Sequence, residues 1–329
     1  MRQSIAGEQS PSMLVSGETT LMTSRVARLA RHLPVLLRGR PLHGPERYRP
    51  FFIVGSGRCG STLLRAMLEA HPDVHIPPES GLAAMVRDYR RYSRLPWKVL
   101  LRILLAPLGY ERAWEPWELA PGPLLRDLQE LPREMRNVAT VLNAVYRAHL
   151  RNHKPGAGRW GDKTPPHTPQ LPALQAVFPD LQVVHLLRDG RDVVQSFLQV
   201  SKASLPYFAG AWLRAVRTAQ AFGARHPAQY LEIRYEDLVR DPRPSLERVA
   251  SFLGLGFDER MLHHHELDLK LGDVERHPRL QGVWQPVYQT SIGRWRTALD
   301  PQQILELDQL LQPTLAALGY GPGEPAGSR

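Results

Sequence analysis

Two short stretches carry residue types suited to holding phosphate-like anions. The first is Gly55-Ser56-Gly57-Arg58-Cys59-Gly60-Ser61-Thr62. Its length and glycine placement match the phosphate-loop pattern G-x-x-x-x-G-K-[ST], in which backbone amides and a helix start cradle an anion. The lysine position holds Ser61, and the loop's one cation is Arg58. An enzyme acting on nucleoside triphosphates needs that lysine on the β- and γ-phosphates and a magnesium ion on the next hydroxyl. Amides, hydroxyls and one guanidinium suit a group with fewer negative charges and no metal. The plain alternative is a structural glycine turn. The second stretch is Arg188-Asp189-Gly190-Arg191-Asp192-Val193-Val194-Gln195-Ser196. An arginine that closes a strand beside a helix start is placed for a second phosphate, because its fork matches phosphate oxygens. Asp189 and Asp192 read as a helix cap and a dipole partner.

Both motifs need strands to present them. Phe51-Phe52-Ile53-Val54 is a continuous apolar run closed by Gly55, the mark of a strand buried on both faces. A helix is expected over 61–70, a short strand at 74–76, a second buried strand over 181–187, and helices over 191–200 and 207–224. A further strand is expected at 230–233, and helices over 244–253 and 301–318. The stretch 81–150 is helical in pattern, broken at Pro96, Pro107, Pro116, Pro121 and Pro132. Strand–helix alternation predicts an α/β fold: a phosphate-loop-type parallel sheet with helices on both faces, one domain with a helical insertion. Residues 1–46 read as a flexible or loosely docked extension, 47–320 as the domain and 321–329 as a frayed tail. Ligands on such sheets sit at the carboxyl ends of strands, which is where both motifs fall.

Composition narrows the class. Cys59 is the only cysteine in 329 residues, which excludes a disulfide scaffold. Lys and Arg number 42 against 32 Asp and Glu, a formal charge of +10 that favours an anionic partner. The arginines are scattered rather than gathered into lysine-rich clusters with aromatics, so a nucleic-acid or polyanion binder is disfavoured. The run from Val99 to Leu108 is interrupted by Arg102 and contains Pro107, well short of the ~20 residues a membrane span needs. It reads as a helix packed on the core rather than one touching lipid. With no apolar leader in the first 46 residues, a cytoplasmic location is expected. His263-His264-His265 lacks ligand spacing and reads as polar surface, not a metal site. Cys59 reads as a small loop residue rather than a redox group.

At this point the residues resemble a known family. Gly55 to Leu64 looks like the 5′-phosphosulfate loop of sulfotransferases that use 3′-phosphoadenosine 5′-phosphosulfate (PAPS), and Arg188 to Ser196 like their 3′-phosphate motif. Gly161-Asp162-Lys163-Thr164-Pro165, Tyr235-Glu236-Asp237-Leu238 and Ser291-Ile292-Gly293-Arg294-Trp295-Arg296 resemble three further elements, in family order from Phe51 to about Leu299. Arg58 to Pro72 followed by Pro77-Pro78-Glu79-Ser80 is most similar to the tyrosylprotein sulfotransferases. The chain departs from those Golgi enzymes in showing no amino-terminal anchor and no paired cysteines.

The resemblance implies sulfuryl transfer from PAPS to an acceptor hydroxyl, on a peptide tyrosine, a phenol, a sugar or a lipid. It implies Arg58 and Lys163 as cations at the sulfonate and the leaving phosphate. Gly60, Ser61 and Thr62 would cradle the 5′-phosphate, and Arg188 and Ser196 the 3′-phosphate. Tyr235 would lie near the adenine or ribose, Ser291 near the leaving group, and Arg294 and Arg296 would close over the 3′-phosphate end. On the residues alone Glu79 is a solvated loop carboxylate; the resemblance makes it the base for the acceptor proton, with His167 and His75 as alternatives. Asp162 orients Lys163 or makes a turn. Residues 81–150 would shape the acceptor side, and no metal is expected. The rival from another class is a phosphate-loop kinase-like phosphotransferase.

Overall fold

The computed structural model describes residue 35, residues 39–112 and residues 114–321. Among these, five strands make one sheet: β1 (Phe51–Val54), β2 (Val74–His75), β3 (Arg159–Asp162), β4 (Gln182–Leu187) and β5 (Tyr230–Arg234). Their spatial order is β2-β3-β1-β4-β5, and every neighbouring pair is parallel. Parallel strands need crossovers, and the crossover helices bury both faces of the sheet. β1 shows the consequence. Phe52 and Val54 enter one apolar cluster while Phe51 and Ile53 enter another, because successive side chains point to opposite faces. The unbroken apolar run is therefore a strand with two interiors, and the expected α/β fold stands.

The first helix, α1 (Ser61–Glu69), follows the glycine loop directly. The proline-punctuated region then folds into four helices: α2 (Leu82–Tyr92), α3 (Trp97–Leu105), α4 (Pro121–Gln129) and α5 (Val138–His153). The prolines act as starts: Pro96 is the residue before α3, and Pro121 is the first residue of α4, where a missing amide hydrogen costs nothing. In α3 the side chains of Trp97, Leu100, Leu101, Leu104 and Leu105 are buried, so this helix packs on the core as expected. Asn137 caps α5 by accepting from the Thr140 amide. The second half of the chain gives α6 (Leu171–Val177), α7 (Gly190–Leu198), α8 (Leu205–Arg225), α9 (Tyr235–Arg240), α10 (Pro242–Leu253), α11 (Trp295–Ala298) and α12 (Pro301–Ala317).

Strand β3 was not expected, and its composition explains why. Arg159-Trp160-Gly161-Asp162 has neither an apolar run nor an alternation. The glycine is there for its neighbour: a Cβ on Gly161 would lie 2.3 Å from the ring of Phe51, its register partner in β1. Trp160 stacks on Tyr146 with ring centroids 4.1 Å apart. Only the adjacent strand makes these four residues a strand.

The expected extension, residues 1–46, lies largely outside the described residues. Its described end is docked: Arg40 donates to the carbonyls of Ser93 and Leu95 at 2.5 and 2.7 Å, and the Leu42 carbonyl accepts from the Ala139 amide. The expected tail from 322 onward lies outside the described residues. Gly321 is described, and its carbonyl accepts from Arg191.

Candidate active site

The loop from Gly55 to Gly60 turns sharply out of β1. Gly57 and Gly60 have φ of 74° and 93°, and Arg58, though not a glycine, is held at 53°. A Cβ on Gly60 would meet the ring of Tyr235 at 2.3 Å, so this glycine serves both the left-handed turn and a close approach. A non-glycine residue in that region is strained, and such strain persists where surrounding contacts over-determine it. They do here. The Arg58 carbonyl accepts from Arg188 Nη1 at 3.0 Å, and Arg58 Nε donates to Ser196 Oγ at 3.1 Å. The two anion motifs, far apart in sequence, are thus bonded to each other. Thr168 pins the loop's start: its hydroxyl accepts from the Gly55 amide at 3.1 Å and donates to the Gly55 carbonyl at 2.8 Å. Cys59 is buried inside the loop with its Sγ beneath Gly55, and burial pushes its thiol above the ordinary value. It is packing, not a thiolate.

Arg188 directly follows β4 and reaches three ways. Besides the Arg58 carbonyl, its Nη2 donates to the Ser291 carbonyl at 2.7 Å, and its guanidinium lies 4.4 Å from the Tyr235 ring centroid. The Tyr235 hydroxyl bonds Ser291 Oγ at 2.6 Å, and burial raises its pKa. A cleft of about 160 Å³ opens against this group, lined by Arg58, Gly60, Ser61, Thr62, Arg188, Ser196 and Tyr235, with residues of the 280–288 segment on the far side. Seven of the expected residues are therefore brought together. Ser291 joins them through Arg188 and Tyr235. Arg294 and Arg296 do not line that cleft: Arg294 is exposed, and Arg296 stacks on Trp295 at 4.5 Å. Asp189 caps α7 as read, accepting from the Arg191 amide at 2.9 Å. Asp192 lies in the first turn of α7, as read, and does more. Its carboxylate accepts from the amides of Gly293 at 2.8 Å and Trp295 at 3.0 Å, so it fastens the late basic loop.

The other end of the sheet carries Glu79 and Lys163, which follow β2 and β3. Lys163 is 1% exposed and donates to Glu79 Oε1 at 2.5 Å, while the Glu79 side chain is 45% exposed. A buried lysine needs such a partner. Glu79 lines a cavity of about 580 Å³ together with Gly57, Arg58, Ser61, Thr62, Phe197 and Tyr207. It also lines a second, of about 600 Å³, walled by Ala83, Ala84, Arg112 and Pro116 of the helical region. Asp162 does not take the expected role toward Lys163. Its oxygens accept from Tyr146 at 2.6 Å, Ser80 and His167 at 2.9 Å each, and Thr164 at 3.2 Å. Burial works against its charge, yet His167 and these hydrogen bonds hold its carboxyl below the ordinary value.

Both histidines named as alternative bases are buried and hydrogen-bonded, and His167 also lines the second cavity with Glu79. His167 Nδ1 faces Asp162 at 2.9 Å, and its Nε2 accepts from the Ala83 amide at 3.4 Å. His75 bonds Glu69 at 2.9 Å and His149 at 2.8 Å. In the histidine triplet, His264 is buried and its Nε2 bonds the Val283 carbonyl at 3.0 Å, a structural contact. Thr168 and Asp273, which bonds the Glu79 amide, were not singled out from sequence. Both act through tertiary contacts that leave no local signal.

Known proteins can now be set beside this geometry. The family profile for sulfotransferases matches residues 50–259. This chain belongs to the sulfotransferase family. It is 26% identical over 295 residues to protein-tyrosine sulfotransferase A of Caenorhabditis elegans, covering 85% of this chain and 69% of that protein. It is 27% identical to protein-tyrosine sulfotransferase 1 of Danio rerio, with coverage of 82% and 72%, and 26% identical to its human counterpart, with coverage of 82% and 69%. Among solved structures, the sulfotransferase domain of the Synechococcus PCC 7002 olefin synthase aligns with a TM-score of 0.59 at 24% identity, over 84% of this chain and 98% of that domain. The sulfotransferase domain from the curacin biosynthetic pathway aligns at 0.51 and 20%, over 81% and 99%. These two likenesses support the fold.

The enzyme is thus a sulfotransferase related to the tyrosylprotein branch, and the kinase-like rival falls. The cytoplasmic location is corrected. The lack of an anchor does not separate the chain from the tyrosylprotein enzymes of the Golgi, since those are the relatives that match. No helix of the described residues is long and apolar enough to cross a membrane, and that fact does not bear on where the enzyme resides.

Proposed function

We propose that this sulfotransferase moves a sulfuryl group from PAPS to the hydroxyl of a tyrosyl side chain, with Glu79 as the base. One observation carries the reading: Glu79, bonded to Lys163 at 2.5 Å, lines the same cavity as Arg58, Ser61 and Thr62. Acceptor-side and anion-side groups therefore meet in one space. The relatives' own names, protein-tyrosine sulfotransferases, support the tyrosyl acceptor.

The residues present fit the donor. No side chain caps α1, and its first turn holds no acid, so its first amides have no partner within the helix, the Ser61 amide facing the Cys59 sulfur. Arg188 Nε is buried without a partner. Both features suit an anion at the cleft. When bound, PAPS supplies a sulfuryl group carried on a phosphate leaving group. The loop amides at Gly60, Ser61 and Thr62 would hold the 5′-phosphate, and Arg188 with Ser196 the 3′-phosphate. Tyr235, braced by Arg188, would face the ribose. Lys163 and Arg58 supply positive charge where the leaving group gains negative charge, the electrostatic role such fixed cations play. Glu79 accepts the acceptor's proton at its carboxylate. Residues 81–150 shape the acceptor side through the wall of the second cavity.

The test is incubation with labelled PAPS and a panel of tyrosyl peptides, simple phenols, sugars and lipids, read by mass shift. Sulfation of tyrosyl peptides is expected. Transfer confined to sugars or lipids would refute the acceptor, and no use of PAPS would refute the donor.

A further inference from the structure

Glu79 sits on a loop that depends on a distant part of the chain. The segment of residues 76–81 joins β2 to α2, and besides the Lys163 pair three outside contacts bear on Pro78 and on the backbone of Glu79. The Glu79 amide donates to Asp273 Oδ2 at 3.5 Å, and the Glu79 carbonyl accepts from Trp117 Nε1 at 3.3 Å. The third contact is Gly272, at φ 78°, where a Cβ would stand 2.9 Å from Pro78 Cγ and 3.3 Å from the Pro116 carbonyl oxygen. Backbone here presses so closely on the loop that no side chain fits between them.

Asp273 is itself held. Arg65, fully buried on α1, donates from Nη1 to Asp273 Oδ1 at 2.5 Å, from Nη2 to the Leu271 carbonyl at 2.7 Å and from Nε to the Ile76 carbonyl at 3.0 Å. One guanidinium thus ties together the helix of the anion loop, the start of the Glu79 loop and the strap carrying Asp273. The Asp273 carboxyl lies below its ordinary value: burial opposes its charge, and Arg65 and then Lys163 outweigh it. The strap continues into the wall of the anion cleft. Leu271, Val274 and Val283 pack with Ala66 of α1 in a small cluster, and Val283 also lines that cleft. A buried ion pair is a poor source of stability compared with apolar residues of similar volume. Its use at this place is geometric.

We infer that Asp273, clamped by Arg65, is a positioning residue that sets Glu79 relative to the anion loop. The inference rests on the proposed role of Glu79. Catalysis by a general base is sensitive to placement, and a shift of ~1 Å costs up to about 100-fold in rate.

The test compares Arg65→Met/Asp273→Leu, Gly272→Ala, Glu79→Gln and the combinations of the first two with Glu79→Gln. The first variant replaces the pair by apolar side chains, and the second strains the strap and pushes on Pro78 while leaving both charged groups in place, so either can answer if the other fails to fold. Each is measured for turnover of labelled PAPS with a tyrosyl peptide and for binding of 3′-phosphoadenosine 5′-phosphate by calorimetry. We expect kcat to fall about 10- to 100-fold in a folded clamp variant, with the dissociation constant of the nucleotide within about two-fold of wild type. On the Glu79→Gln background the same changes should add almost nothing, since groups acting as one unit are not additive. Wild-type kcat in both folded clamp variants, or a full additional loss on the Glu79→Gln background, overturns the clamp. Wild-type kcat in Glu79→Gln alone overturns the base, and the clamp with it.

Discussion

Removing Arg188 separates the bracing contacts this side chain makes from the 3′-phosphate binding proposed for it. Arg188→Ala deletes the donors to the Arg58 and Ser291 carbonyls, at 3.0 and 2.7 Å, and the cation lying 4.4 Å from the Tyr235 ring. Those are intramolecular bonds from a charged group that is 8% exposed. Their loss should cost roughly 2–3 kcal/mol of stability and lower the melting temperature by several degrees. If the same guanidinium takes the 3′-phosphate, a charge-assisted bond of about 1.5–3 kcal/mol also goes. That corresponds to a dissociation constant about 10- to 150-fold higher for 3′-phosphoadenosine 5′-phosphate. The assay is calorimetric titration below the melting point of both proteins. It needs a control, because a loosened Arg58 loop would weaken any nucleotide. Adenosine 5′-phosphosulfate lacks the 3′-phosphate, so its affinity should change far less. Equal weakening of both ligands would mean that Arg188 acts only through the loop, and the 3′-phosphate assignment would be wrong.

Four further outcomes are expected. Thermal shift should show 3′-phosphoadenosine 5′-phosphate stabilising the fold, by about 2.7 kcal/mol at ~100 times its dissociation constant, while ATP with magnesium does much less; equal stabilisation would remove the donor assignment. Glu79→Gln should lower turnover about 10²- to 10⁴-fold and leave nucleotide affinity unchanged in the same titration. Thr168→Val strips the Gly55 amide of its buried acceptor, which should cost about 1–3 kcal/mol in chemical denaturation; a change below ~0.5 kcal/mol would show that the loop does not need this pin. Glu232 faces its register partner His185 across β4 and β5, and although burial opposes its charge, the bond from His185 brings its carboxyl from 4.5 down to about 2. A depressed carboxylate stabilises the fold above the unfolded value and loses that contribution as pH falls through the folded one. Because Glu232 is partly solvated, Glu232→Gln should cost about 1–2 kcal/mol at neutral pH, with the gap to wild type closing between pH 4.5 and about 2.

What could be read from the residues was whatever depends on local pattern. β1 and β4 announce themselves as apolar runs because both faces of each are buried, and the glycine loop announces itself because its turn requires glycine at Gly57 and Gly60. What could not be read depends on a neighbour distant in sequence. β3 is a strand because Phe51 lies over Gly161. Asp192 looked like a dipole partner at the start of α7, and a carboxylate there satisfies that rule whether or not the amides of Gly293 and Trp295 also bond to it. Asp162, the last residue of β3, sits beside Lys163 in the chain, but its partners are Tyr146, Ser80 and His167, all brought to it by the fold. The resemblance supplied Glu79. The pairing of Glu79 with Lys163 needed the sheet.

The sheet order gives the site its logic. Each strand is followed by one part of the site: Glu79 after β2, Lys163 after β3, the Arg58 loop after β1, Arg188 after β4 and Tyr235 after β5. Read across the sheet as β2-β3-β1-β4-β5, the groups run from the proposed base, through the two cations proposed for the transferring group, to the residues proposed for the nucleotide. Parallel strands all present their carboxyl ends on one side, about 4.8 Å apart from neighbour to neighbour, so adjacent parts of the proposed site follow adjacent strands. This arrangement accounts for the strain at Arg58. Its loop follows the central strand and must touch both halves: its carbonyl and Nε bond Arg188 and Ser196 on one side, and its cavity reaches Glu79 on the other. The contacts on both sides hold Arg58 in the left-handed conformation, at φ 53°.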